Sequence, residues 1–273
     1  PISWSAWRPP ACPESSAHLV QTRPAAPRDA GRVYLSPNRR STLPSVNSSA
    51  ALRVGGLTPL TTIDYPGELA AVVFCQGCPW RCSYCHNDHL WAPHGDNELP
   101  WAEVLAFLGR RRALLDAVVF SGGEPTLQSA LPAAIREVRD LGFKVGLHTA
   151  GPYPQRLARV LPLVDWVGMD IKAPAGLYPA LTGLPGSGEQ AWRSLDLLLA
   201  SGVAYEVRIT VDEHHLPAER LDGLLEHLHA AGARHIALQA CRDTDGRLCV
   251  SREQLEGAAS RHGAPALVTV RTG

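Results

Sequence analysis

Four of the chain's seven cysteines fall inside one short stretch, Cys75-Gln76-Gly77-Cys78-Pro79-Trp80-Arg81-Cys82-Ser83-Tyr84-Cys85. Thiolates are soft ligands that select zinc, cuprous copper or iron-sulfur clusters. So dense a run reads as a metal site in a reducing compartment, because disulfide frameworks usually spread an even set of cysteines along a secreted chain. Three chemistries compete. A zinc knot would use Cys75, Cys78, Cys82 and Cys85, but with its two pairs far closer together than in the usual modules. A ferredoxin-type electron carrier would use the same four, although C-x2-C-x3-C-x2-C is not the bacterial ferredoxin spacing. The third chemistry leaves Cys75 in strand packing and uses C-x3-C-x2-C. Cys78, Cys82 and Cys85 then hold three irons of a [4Fe-4S] cluster, and the fourth iron is open to a small molecule.

Cys78, Cys82 and Cys85, with the aromatic Tyr84 just before the last, resemble the motif of the radical S-adenosylmethionine (SAM) superfamily. Ser121-Gly122-Gly123-Glu124-Pro125 resembles that superfamily's Gly-Gly-Glu-Pro segment. The resemblance implies SAM on the open iron. Its amino group would lie at Glu124, with Gly122 and Gly123 letting backbone approach closely. Read without the family, Glu124 is a carboxylate favoured at a helix N-terminus.

A finer resemblance runs from about Leu57 to Gln239. Thr61-Thr62-Ile63-Asp64-Tyr65-Pro66-Gly67 and Cys85-His86-Asn87 are similar to activating enzymes of glycyl radical proteins, most of all those for anaerobic ribonucleoside-triphosphate reductase. The implied activity is reductive cleavage of SAM followed by hydrogen abstraction from a glycine of a partner enzyme, with a flavodoxin- or ferredoxin-type reductant. Met169-Asp170-Ile171-Lys172 resembles the Asp-x-Lys segment of these activases. Side chains two apart share one face of a strand, so Asp170 and Lys172 would meet in one cavity as the catalytic pair, contacting SAM and moving a proton; the bland alternative is a rim salt bridge. Arg208 sits in an otherwise apolar run and needs an anion, either the SAM carboxylate or Glu206. Thr149 and Tyr84 complete the expected SAM contacts, Tyr84 packing on adenine or merely shielding the cluster. His148 stands where some relatives carry an acid, a departure that makes Thr149 the better candidate for a cofactor contact there. His86 and Asn87 orient the motif loop or meet the partner's glycine loop. His214 and His215 read as loop residues, and Cys241 and Cys249 as free thiols.

Other functions stay open at this stage. One is a radical SAM enzyme acting on a small molecule, in the manner of 7-carboxy-7-deazaguanine synthase. Another is a non-catalytic iron-sulfur carrier or zinc-stabilised module, which unlike an activase would need Cys75.

Short apolar runs place these residues. Leu69–Cys75, Ala117–Ser121, Phe143–Thr149, Trp166–Ile171, Ala204–Val211 and His235–Gln239 are continuous rather than alternating, as in strands buried on both faces. Helical patterns lie between them at Pro100–Arg112, Ser129–Leu141, Pro154–Leu161, Glu189–Ser201 and Pro217–Ala231, with Ser129 as a start signal and Gly142 and Gly202 as stops. Six strand-helix alternations predict an α/β fold with a parallel sheet, either open and doubly wound or, as the resemblance implies, a partial (βα)6 TIM-type barrel. Either way the chemistry falls at the carboxyl ends of the strands.

Lysine plus arginine equal aspartate plus glutamate at 26 each, so no global field points to nucleic acid or an anionic membrane. No apolar run is long enough to span a bilayer, and the expected address is the cytoplasm, under anaerobic conditions if the resemblance holds. Residues 1–50, rich in Pro, Ser, Ala and Arg, are expected to be a disordered or non-native leader, with Val46 a candidate GTG-encoded start; residues 51–273 are the expected radical SAM domain.

Overall fold

In the computed structural model the chain divides into two units, Pro1–Ser41 and Thr42–Gly273. The structure describes residues 49–242, 246–262 and 268–271, all in the second unit. The expected leader and the Val46 start lie outside the described residues, save for the short helical turn Ser49–Ala51.

One eight-stranded sheet carries the fold, its strands ordered β1 to β8 as they occur along the chain. β1 (Val54–Thr61) runs antiparallel to β2 (Ala70–Cys75). From β2 onward every neighbour is parallel: β3 (Ala117–Gly122), β4 (Lys144–Thr149), β5 (Trp166–Asp170), β6 (Ala204–Val211), β7 (Ile236–Ala240) and β8 (Val268–Arg271). A doubly wound sheet reverses its strand order at a switch point. This order never reverses, so the barrel-type reading holds and the doubly wound one does not.

The crossovers contain α1 (Trp101–Gly109), α2 (Leu131–Asp140), α3 (Pro154–Val160), the single turn α4 (Tyr178–Thr182) with α5 (Ser187–Ser201), α6 (Ala218–Ala230) and α7 (Arg252–His262). That makes six strand-helix units, as expected, flanked by β1 and closed by β8. The six expected strands are present as β2 to β7, and the five expected helices match α1, α2, α3, α5 and α6 to within a few residues. Gly142 and Gly202 end their helices with φ of 95° and 75°, the left-handed geometry of helix stops. Ser129, by contrast, is not the cap of α2; Ala130 holds that position, with Pro132 in the first turn.

Outward-facing side chains of the parallel strands, such as Val118, Phe120, Leu147, Val167 and Ile209, pack against the helices in the main core. The opposite, concave face holds a smaller apolar cluster of Ala70, Val72, Ala117, Val119 and Trp166, plugged by Tyr65, whose ring stacks on Trp166 at 5.3 Å. Tyr65 belongs to the Thr61–Gly67 segment, which therefore fills the lower part of the concavity. Polar chemistry is left to the upper part.

Candidate active site

The cysteine segment leaves the carboxyl end of β2 and is held at its root and along its length. At the root, Gln76 N donates to Arg53 O at 2.9 Å, while Gln128 Nε2 donates to Arg53 O at 2.8 Å and to Gln76 O at 3.0 Å. Gly77 N donates to Leu90 O at 2.8 Å and Cys78 N to Trp91 O at 3.2 Å. Further on, Arg81 N donates to Thr182 O at 2.9 Å and Ser83 N to Leu181 O at 3.3 Å, so α4 holds the far side of the loop. Trp80, fully buried, sets its ring edge against Tyr178 at 5.7 Å.

Cys75 is fully buried within the main core, and burial pushes its thiol upward. Its side chain packs among the apolar residues of that core. Cys78 and Cys85 are half-buried and Cys82 is buried, all as free thiols. Burial pushes the Cys78 thiol up to about 12 and the Cys82 thiol upward too; each of these two feels the charge of its neighbours in the loop, and the Lys172 ammonium works against the rise at Cys82. Desolvated thiols of this kind stay protonated unless a cation replaces the protons. Among the described residues no three His, Cys, Asp or Glu side chains converge on a single metal ion. Three thiols on one loop are the soft donor set that an iron-sulfur cluster takes. His214 and His215 lie in the turn between β6 and α6, His215 Nδ1 standing 2.7 Å from Asp212 Oδ2.

At the end of β3, Gly122 has φ 115°, and a Cβ there would lie 2.4 Å from Cys75 N; one at Gly123 would lie 2.4 Å from Gly77 O. The close approach that demands glycine is thus to the root of the cysteine loop, not to open space for a ligand. The contact is sealed by Gly123 N to Cys75 O and Glu124 N to Gly77 O, both 2.9 Å.

Glu124 is 2% exposed. Its Oε1 accepts from Thr126 N at 2.9 Å, Thr126 Oγ1 at 2.6 Å and Thr149 Oγ1 at 2.8 Å, and its Oε2 accepts from Ala150 N at 3.0 Å. Burial raises its pKa, and the four donors oppose that rise. Capping of the turn Pro125–Leu127 is part of its role. Oε2, with one protein donor, keeps acceptor capacity for one more. Thr149 serves Glu124 and accepts from Gly151 N at 3.0 Å.

Asp170 and Lys172 come together as their spacing predicts, Lys172 Nζ lying 3.8 Å from Asp170 Oδ2 with side chains 11% and 32% exposed respectively. This is no rim pair. Arg208, opposite Asp170 in the β5–β6 register, donates from Nε to Asp170 Oδ1 at 2.8 Å and from Nη2 to Gly168 O at 3.3 Å. Burial works to raise the Asp170 pKa, but the Arg208 and Lys172 cations overcome it and hold the carboxyl below its ordinary value. The expected competitor Glu206 does not bind Arg208; it pairs with Arg271 Nη2 at 2.7 Å, two strands away. Lys172 Nζ also sits 5.3 Å from the centre of the Tyr84 ring. Tyr84 is thereby tied to the Asp170–Lys172–Arg208 group, and its buried hydroxyl has no hydrogen-bond partner among the described residues.

Tyr178 went unrecognised in the sequence. Its hydroxyl accepts from Lys172 N at 2.9 Å while its ring supports Trp80, so one side chain links the cysteine loop to the charged group. The only local sign was an aromatic ahead of Pro179, too weak to mark a helix. His86 Nε2 donates to Arg242 O at 3.3 Å, which makes it a tether between the loop and the chain after β7.

His148 is structural. Its Nε2 donates to Asp64 O at 2.8 Å, so Nδ1 is left to accept from Ser121 Oγ at 3.3 Å. Burial, helped by the Arg208 charge, pulls its pKa down to about 3. The folded state therefore holds the neutral ring, against an unfolded value of about 6.5. This contribution to stability is complete above pH ~6.5 and is lost as the pH falls toward 3, at up to about 1.4 kcal/mol per pH unit. Urea-melt midpoints measured across that range should fall less steeply in His148→Asn, by the equivalent of one proton; parallel curves would refute it.

A family model described as the radical SAM superfamily matches residues 72–228, more than half of the chain. The chain is 33% identical over 164 residues to a putative glycyl-radical enzyme activating enzyme of Methanocaldococcus jannaschii, covering 58% of this chain and 67% of that one. It is 36% identical over 125 residues to the pyruvate formate-lyase-activating enzyme of Clostridium pasteurianum, covering 44% of this chain but only about half, 52%, of the relative. Among solved structures it resembles the crystal structure of QueE from Escherichia coli, with a TM-score of 0.53 and 20% identity over 81% of this chain and 94% of that one, a likeness of fold. Among the described residues no helix is long and apolar enough to cross a membrane.

Proposed function

The chain belongs to the radical SAM superfamily, and on that premise we propose that it is an activating enzyme that uses a [4Fe-4S] cluster and SAM to place a radical on a glycine of a partner enzyme. When bound, the two groups supply one electron to the sulfonium carbon–sulfur bond and a 5′-deoxyadenosyl radical able to take a hydrogen atom. The observation that carries the reading is the convergence of a three-thiol loop, a buried carboxylate and a charged Asp-Lys-Arg group at one end of one sheet.

Cys78, Cys82 and Cys85 would hold the cluster, with Trp80 and Tyr178 behind the loop keeping water away. Oε2 of Glu124, already aligned by Ala150 N, is the acceptor for the SAM ammonium. Lys172 would meet the SAM carboxylate and Asp170 its amine side. Arg208 holds Asp170 in place through its Nε, and its remaining guanidinium donors are left for the SAM carboxylate. Tyr84, with Lys172 over its ring, orients that lysine. Every described cysteine is a free thiol, which suits a reducing, cytoplasmic setting.

The partner is a glycyl radical enzyme. Anaerobic ribonucleoside-triphosphate reductase is the partner the sequence resemblance favours, while the name of the Clostridium relative favours pyruvate formate-lyase. The test is to mix the anaerobically reconstituted, reduced protein and SAM with each candidate in turn and look for the glycyl radical doublet by electron paramagnetic resonance. A doublet with one partner establishes the activity and the pair. SAM cleavage with no doublet on either would overturn the glycyl reading in favour of another substrate.

A further inference from the structure

We propose that Cys241 and Cys249 form a reversible disulfide, a modification site that closes residues 242–248 into a loop beside the cysteine-bearing segment. Cys241 directly follows β7, its amide donating to Val211 O at 2.9 Å, and Cys249 N donates to Cys241 O at 2.8 Å. Arg242 and Leu248 pair antiparallel next to them, so the two cysteines stand opposite one another. One backbone bond joins the pair, and antiparallel neighbours lie about 4.5–5.5 Å apart at Cα, within the range that disulfides span. Cys241 Sγ donates to Arg242 O at 3.6 Å, and the neighbouring Cys249 helps to push the Cys241 thiol upward.

Their unequal exposure sets an order of events. Cys249 is half-buried and Cys241 is 2% exposed, so a low-molecular-weight disulfide reaches Cys249 first. The Cys249 thiolate attacks one sulfur of that reagent, forming a mixed disulfide and releasing one reagent thiolate. The Cys241 thiol then gives up its proton and attacks the Cys249 sulfur, forming the Cys241–Cys249 bond and releasing the second thiolate. No net electrons are left over, since the reagent's disulfide is reduced as the protein's forms. Burial pushes the Cys241 thiol up to about 12, with a further rise from the neighbouring Cys249; that second part lifts once Cys249 is capped.

The location gives the bond a consequence. His86, next to Cys85, hydrogen-bonds Arg242 O, so the closed loop is tied to the segment proposed to hold the cluster. The inference does not depend on that proposal, because neither sulfur belongs to the Cys78, Cys82, Cys85 set.

The test is incubation of the full chain with oxidised glutathione, followed by alkylation of free thiols and mass mapping of linked peptides. It is run on the reconstituted protein and on a Cys78→Ser, Cys82→Ser, Cys85→Ser variant. The expected result in both is a Cys241–Cys249 linkage in most molecules, removed by dithiothreitol, while Cys241→Ser accumulates glutathione on Cys249 instead. Stable glutathionylation of Cys249 with Cys241 still alkylatable, or no modification of either, would overturn the proposal. A linkage present only when the three loop cysteines are intact would overturn its independence from the cluster.

Discussion

Cys82→Ala is expected to abolish iron retention and to cut 5′-deoxyadenosine formation to background, a loss of more than about 100-fold, whereas Cys75→Ala should leave both intact. Removing even an outer-shell partner of a metal ligand commonly costs 10–100-fold, and here a ligand itself is lost. Cys82 is the most buried of the three proposed ligands, and its neighbours Arg81 and Ser83 are fixed to the Thr182 and Leu181 carbonyls of α4. Cys75 differs in kind. It is a fully buried core residue, and alanine there removes a small hydrophobe for about 1 kcal/mol. Iron content per chain after reconstitution, read beside chromatography of the SAM cleavage products, checks both arms. Loss of the cluster in Cys75→Ala would return the four-cysteine readings.

The largest effect on stability should come from Glu124→Ala. Four donors converge on this carboxylate: the Thr126 and Ala150 amides and the Thr126 and Thr149 hydroxyls. Each buried donor left unmatched costs on the order of 1–3 kcal/mol, although the hydroxyls can rotate to other acceptors. A net loss of about 3–5 kcal/mol follows, a large share of the 5–15 kcal/mol typical of a domain, and a fall in Tm of about 10 °C or more. Glu124→Gln keeps the acceptor on one side but turns an amide donor toward another donor, so its loss should be smaller, about 1–2 kcal/mol. Thermal melts of the metal-free protein separate this structural role from SAM binding. If Glu124→Ala melts with the parent, the bonds drawn here do not exist in solution.

Much of this was legible in the residues, and each part that was not has a physical reason. Continuous apolar runs marked β2 to β7 because parallel strands buried on both faces need them. β1 escaped because Gly55, Gly56 and Pro59 argue against a strand; it survives as an edge ribbon beside β2. α4 is a single turn, too short to show a period, and β8 has only four residues. At the site, the cysteines and the Asp170–Lys172 pair were readable because their partners are local. The bond from Thr149 to Glu124, the placement of Arg208 on Asp170 and the diversion of Glu206 to Arg271 depend on which strands lie side by side, and no spacing along the chain shows that. The same is true of the glycine pair after β3, whose crowding comes from the root of the cysteine loop.

That root has a bearing on how the protein matures. Arg53, Gln76 and Gln128 lock the start of the cysteine segment into the sheet with backbone and amide bonds, and Cys75 contributes its side chain to the core. None of these contacts involves the sulfurs of Cys78, Cys82 and Cys85, the ligands proposed above. The chain can therefore complete its sheet before any iron arrives, unlike small zinc modules in which the metal stands in for a core. Cluster delivery becomes a late loading step onto a finished scaffold, and a cell short of iron would accumulate a folded, inactive pool ready to be charged.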